Sequence, residues 1–223
     1  MIKHLIDSCF AAYYNLHRRP EVIDDHHTND ASFDLEDNVG NPIVSFGAGI
    51  ASFSNNMSKN IMVLEYERYI DKYNRTKFHS GRKKCDFVLE EDDGTTVILN
   101  ELTSSSAGMK NLVKPIVDKK NTYQGGKFEK AEKQLLESLK TLHDIPAIGS
   151  YLAGINKKIC LCSYKLNMGV NLSAIGNPVK TFSLGQTLAG RLVGEDGILI
   201  SSPDIEKLGF EYRRISHDYA FKL

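Results

Sequence analysis

The sequence predicts an α/β domain, a central mixed β-sheet flanked by helices, and three stretches carry that prediction. "KKCDFVLEEDDGTTVILNELTSSS", residues 83–106, is two apolar runs joined by an acidic turn containing a glycine, the pattern of a hairpin. "KFEKAEKQLLESLKTLHD" sets Phe128, Ala131, Leu135, Leu139 and Leu142 on one stripe with charges opposite, which predicts a long amphipathic helix. "KKICLCSYKL" then reads as a buried strand. Strand, helix and strand between 95 and 165 favour a right-handed crossover and parallel pairing.

A chain of 223 residues can bury a core without disulfide staples. No repeat, low-complexity tract or clean linker divides it, so one domain over 1–223 is expected. Lys and Arg number 28 against 28 Asp and Glu, so any attraction to nucleic acid or membrane has to come from a local patch. Cys9, Cys85, Cys160 and Cys162 contain no CxxC pair, which argues against zinc and disulfides. "MIKHLIDSCFAAYYNL" has an acidic break and no small-residue cleavage site, and no apolar run approaches the ~18 residues of a membrane span. A cytoplasmic protein with no membrane partner is the expectation.

In chain order, Leu5, Cys9, Ala12 and Leu16 at helical spacing predict a helix over 2–16. The following "DDHHTNDASFDLEDNVGNP" is polar and turn-rich. Asp24, Asp25, His26, His27 and Asp30 within it could be metal ligands, but adjacent side chains in a loop point apart, and a loop is the expectation. "IVSFGAGIASF" reads as a strand pair with close-packed glycines or as a phosphate-binding loop; it lacks the lysine and spacing of a P-loop. "SKNIMVLEYERYIDKY" predicts a helix capped by Ser58, with Glu65 at the margin of its apolar side and Glu67 pointing elsewhere. Beyond the hairpin lies a polar connection over 103–126. The tail, 166–223, has short runs such as "GILISS" and "GFEYRRIS", expected as edge strands, around "DIEKLG", a short helix with a glycine stop.

The register of the hairpin brings two carboxylates together. If Asp93-Gly94 forms a two-residue type I′ turn, Asp92 faces Thr95, Glu90 faces Val97, Val88 faces Leu99 and Asp86 faces Glu101. Like charges directly opposed destabilise a sheet. Proton sharing, a neighbouring cation or a hard ion such as Mg²⁺ would offset the repulsion. Just upstream, "YNRTKFHSGRKK" gathers Arg75, Lys77, Arg82, Lys83 and Lys84 around Tyr73 and Phe78, a candidate phosphate-contacting patch.

The order of these elements over about 58–165, with Glu65, "CDF" and "ELT", resembles the PD-(D/E)XK nuclease superfamily, the restriction-endonuclease-like fold. The resemblance implies a metal-dependent endonuclease that hydrolyses DNA, of the kind found among type II restriction enzymes. It implies Mg²⁺ or Mn²⁺ held by Asp86, Glu101, the Leu102 carbonyl and the upstream carboxylate Glu65. Residues 1–57 and 166–223 would be additions for target recognition or for a homodimer. Thr103 stands where the family has a lysine that positions the attacking water, and threonine supplies no positive charge. The following helix offers replacements: Lys127 and Gln134 fall on one flank of its apolar stripe, whereas Lys130 and Lys133 point more toward solvent. If no lysine reaches the site, the alternative is an inactive nuclease-like module that binds nucleic acid or protein. A separate rival is an enzyme acting on a small phosphorylated substrate through the Gly-rich loop.

Overall fold

A computed structural model describes residues 1–16, 21–38, 40–105, 116–117, 123–124, 126–166 and 196–223. Two sheets stack in it. The larger is mixed and has the strand order β1-β5-β6-β7-β10-β12-β11, formed by β1 (Asp25–Thr28), β5 (Ile61–Glu65), β6 (Phe87–Glu91), β7 (Thr96–Ser105), β10 (Lys157–Leu166), β12 (Glu211–Ser216) and β11 (Ile198–Ile200). Neighbours run antiparallel from β1 to β7, parallel through β7, β10 and β12, and antiparallel again to β11. The smaller has the order β13-β4-β2-β3, from β13 (Phe221–Lys222), β4 (Ala51–Ser54), β2 (Ser32–Leu35) and β3 (Ile43–Val44). Two-residue strands β8 (Ile116–Val117) and β9 (Tyr123–Gln124) pair with each other.

The helices are α1 over residues 2–13, with a π-helical turn at Ile6–Phe10, then α2 (Tyr66–Asp71), α3 (Lys127–His143), α4 (Pro146–Ala153) and α5 (Pro203–Glu206). Helix α3 has the expected span, and all five stripe residues are buried. It covers one face of the larger sheet, over Val88, Val97, Leu99, Cys160 and Cys162, together with Ile2, Ile6 and Phe10 of α1. The opposite face buries Val63, Phe87, Leu89, Ile98 and Leu161 against Phe33, Phe53 and Phe221 of the smaller sheet. With both faces covered, the central strands read as continuous apolar runs rather than alternating ones.

Several expectations change. The N-terminal helix buries Ile2, Ile6 and Phe10, leaving Leu5 and Cys9 partly buried and Ala12 exposed. The bulkier set wins the core, and Phe10 packs against Tyr14, Tyr69 and Phe78. The helix expected from Ser58 is a strand and then a short helix, because "IMVLE" is buried at every position between β1 and β6. Ser58 caps nothing; its φ of +49° lies in a turn whose N–H reaches Asn55 O at 2.9 Å. "DHHT" is edge strand β1 rather than loop. In the tail, β12 lies inside the sheet rather than at its edge, and Gly209, at φ +78°, follows α5 as the glycine stop. Much of the 103–126 connection, and residues 167–195 of the tail, lie outside the described residues.

The hairpin keeps its expected register, Val88 facing Leu99 and Glu90 facing Val97. The turn differs: among the described residues Asp93 is not at positive φ, as type I′ requires. Instead Gly94, at φ +67°, donates its N–H to Glu91 O at 2.8 Å, and Asp93 Oδ1 accepts the Thr95 N–H at 2.9 Å. The connection is thus residues 92–95, and its even length preserves which side chains share a face.

Candidate functional site

Asp86 immediately precedes β6, and Glu101 lies within β7. The β6–β7 ladder closes at Phe87 with Asn100, and one step beyond it the Asp86 side chain takes over. Its Oδ2 accepts the Leu102 N–H at 2.6 Å, and its carbonyl accepts the Glu67 N–H at 3.1 Å. Alternation puts Glu101 on the face of Leu99, beneath α3. The ladder thus ends one rung short of the expected Asp86–Glu101 pair, with the Asp86 side chain on the Leu102 N–H, and the Asp86 charge acts to raise Glu101.

Both acids are displaced from ordinary behaviour. Burial pushes Glu101 well above the usual carboxylate range, and the charges of Asp86 and Glu67 push it further, while Lys130 opposes them. Asp86 is pushed up to about 8, chiefly by loss of solvent, against the pull of the Leu102 N–H and with help from Glu67 and Asp37. Glu67 is raised by burial and held back by Lys84. Among the described residues, Glu101 Oε2 is buried with no hydrogen-bond partner. The contrast with Glu90 is informative: that carboxylate is buried too, but it accepts the Ile2 N–H at 2.9 and 3.1 Å and the Tyr151 hydroxyl. Glu90 is a satisfied structural acid; Glu101 is not.

Glu65 does not join the pair. Val63 and Ile61 face the smaller sheet, so Glu65 faces that side too, the opposite side from Glu101. Its Oε1 lies 2.7 Å from His26 Nε2, and Oε2 makes an ion pair with Arg68. A further acid beside Asp86 is Glu67, in the first turn of α2, whose N–H donates to the Asp86 carbonyl at 3.1 Å and whose charge raises both Asp86 and Glu101. Sequence reasoning missed it because a helix drawn through 61–65 rotates Glu67 away. The signal available was the five-residue apolar run, which suits a buried strand as well as a helix.

The helix flank is engaged differently from the expectation. Lys127 Nζ donates to the Ser104 carbonyl at the end of β7, and Gln134 Nε2 donates to the Lys84 carbonyl at 2.8 Å. Gln134 Oε1 is buried without a partner. Lys130 and Lys133 are exposed, as expected. Thr103 is half-buried on the Glu101 face, paired in register with Tyr164. Leu102 offers its N–H to Asp86. In the basic stretch, Arg75, Lys77 and Lys83 are exposed. Arg82 and Lys84 are not free surface cations. Arg82 bonds the Phe78 carbonyl and Thr141 Oγ1 and stacks 4.2 Å from the Phe78 ring; Lys84 is ion-paired with Asp71.

Among the described residues no three His, Cys, Asp or Glu side chains form a group ready to hold a metal. His27 Nε2 pairs with Asp25 at 3.1 Å and His26 with Glu65, so the 24–30 cluster diverges. The Asp86–Glu101 pair fits a hard divalent cation on its own chemistry: two crowded carboxylates, one with an orphaned buried oxygen. The Gly-rich loop does not fit a phosphate. The Gly47 and Gly49 N–H groups already donate to Asp34 Oδ2, at 2.9 and 2.8 Å, so a carboxylate fills the anion position. A Cβ on Gly49 would stand 2.6 Å from Leu35 O, which supports the close-packed reading.

Comparison of the chain with protein-family models, curated proteins and solved structures finds no match.

Proposed function

We propose that the protein is a metal-dependent endonuclease hydrolysing DNA phosphodiester bonds, with Asp86 and Glu101 as carboxylate ligands of Mg²⁺ or Mn²⁺. The observation that carries this reading is Glu101 Oε2, buried without a hydrogen-bond partner among the described residues, beside a second displaced acid on the face packed under α3. A hard cation relieves that repulsion and supplies the missing partner. The resemblance to PD-(D/E)XK nucleases is supported by the run of antiparallel β5, β6 and β7, helix α3 and parallel β10.

Bound at the pair, the cation lowers the pKa of a water and neutralises charge on the scissile phosphate. The chain's residues hold and orient. The Leu102 N–H fixes one Asp86 oxygen, leaving the other for the cation. Glu67 adds negative charge beside the pair, from the helix that follows β5, where the sequence pointed to Glu65. Gln134, through the Lys84 carbonyl, fixes the segment that leads into Asp86. The exposed Arg75, Lys77 and Lys83 meet backbone phosphates of DNA, sequence-independently. A restriction enzyme acting as a cytoplasmic homodimer is the form the resemblance suggests.

Plasmid cleavage with Mg²⁺ or Mn²⁺ tests the reading. Cleavage is expected for the native protein and absent for Asp86→Ala and Glu101→Ala; equal residual cleavage in all three would mean a contaminant and remove the site assignment. One arrangement favours the inactive binding module. Thr103 carries no charge, and the Lys127 ammonium is taken by the Ser104 carbonyl. Mn²⁺ binding by calorimetry, without cleavage, would select that alternative.

A further inference from the structure

A phosphate held at Asp86 and Glu101 needs a cationic group, and Lys127 reaches the Ser104 carbonyl at the end of β7 rather than any of the acids. Lys84 is placed differently from every other lysine near the site. Its carbonyl is held by Gln134 Nε2, and the next N–H, that of Cys85, donates to Ser138 Oγ at 2.7 Å, so its backbone is clamped to α3 on both sides. Its side chain is only 12% exposed. The ammonium pairs with Asp71, lies 3.3 Å from His79 Nε2, and stands 3.9 Å from Glu67 Oε1. Glu67 in turn donates its N–H to the Asp86 carbonyl at 3.1 Å. Lys84 is thus a largely buried lysine two residues before Asp86, with its ammonium on the acids that flank the site.

We propose that Lys84 is the substrate-contacting cation of the site, kept in reserve by Asp71 and His79 until a phosphodiester enters. The inference rests on the nuclease reading and adds to it the group that Thr103 does not supply. Lysine suits a hand-over of this kind: three rotatable donors on a flexible stem let it keep one partner while it gains another. Asp71 is a replaceable holder, since its own side chain is 47% exposed at the rim.

Four proteins decide the matter: native, Lys84→Ala, Lys84→Arg and Asp71→Asn. Each is assayed for DNA cleavage at saturating Mg²⁺, for Mn²⁺ affinity by calorimetry, and for binding of a duplex oligonucleotide in Ca²⁺. Lys84→Ala should lose ~10²-fold in kcat, the size expected for deleting one preorganised charge donor. Its Mn²⁺ affinity should be unchanged, and Lys84→Arg should recover part of the rate. Asp71→Asn should keep the native kcat, because it frees the lysine. If Lys84 serves only as a structural partner of Asp71, the Asp71→Asn and Lys84→Ala rates fall together, and the inference is overturned. If the native protein binds Mn²⁺ but does not cleave, the nuclease reading fails separately. Lys84 is then judged by oligonucleotide affinity: a loss in Lys84→Ala supports the contact, and native affinity refutes it.

Discussion

Replacing Asp86 with asparagine should make the metal-free protein more stable, and increasingly so as pH rises. In the native state the Asp86 carboxyl keeps its proton up to about pH 8, against 3.8 for the ordinary side chain. Between those values the native state binds more protons than the unfolded chain, so stability falls with rising pH, by about 1.4 kcal/mol per pH unit for an isolated group. Asparagine has no such proton and keeps an oxygen for the Leu102 N–H. Its advantage over aspartate therefore grows from pH 5 to pH 8, by up to ~4 kcal/mol for an isolated carboxyl and by less where Glu67 and Glu101 share the proton uptake. Urea unfolding in EDTA at both pH values reads this directly. Repeating it with a divalent cation at about 100 times its Kd should narrow the gap, adding about 2.7 kcal/mol to the native protein and little to the variant. An asparagine advantage that stays constant within ~0.5 kcal/mol across the range would refute the trapped-charge reasoning.

Glu67→Gln should weaken Mn²⁺ binding in calorimetry, whereas Glu65→Gln should leave it unchanged. Instead Glu65→Gln should destabilise the chain by ~1–3 kcal/mol in urea unfolding, because the Arg68 ion pair is lost and the buried His26 contact is weakened. Leu139→Ala, at the centre of the α3 stripe with no exposure, should cost ~2–5 kcal/mol by the same measurement.

Much of the fold was legible because the decisive signals were local. Helix α3 announces itself over five turns of regular spacing, and "KKICLCSYKL" is too short and too apolar for anything but a buried strand. The hairpin register survived an error about its turn, since the alternation of faces depends only on whether the connection is even or odd. What failed was decided by partners distant in sequence. "IMVLE" fits a helix or a strand taken alone, and β1 and β6 on either side settle it. "DHHT" looks like loop until β5 supplies its ladder. The candidate site was half legible in the same way: Asp86 and Glu101 follow from one hairpin, whereas Glu67 and Lys84 depend on where α2 starts and on what α3 clamps.

The parallel ladder of β7 with β10 runs without a break from Thr96 with Lys157 to Ser105 with Leu166, and Glu101 sits well inside it. Asp86 lies past the last rung of β6, secured by its side-chain bond to the Leu102 N–H and by the Glu67 N–H on its carbonyl. If the two carboxylates hold a cation as proposed, they form a vice with one fixed and one sliding jaw. Amide exchange at Glu101 should need the sheet to open as a whole, while the approach to Asp86 can loosen by local fraying. Ions of different radius would then be fitted by movement on the Asp86 side alone, and Glu101 would keep the position that the rest of the sheet dictates.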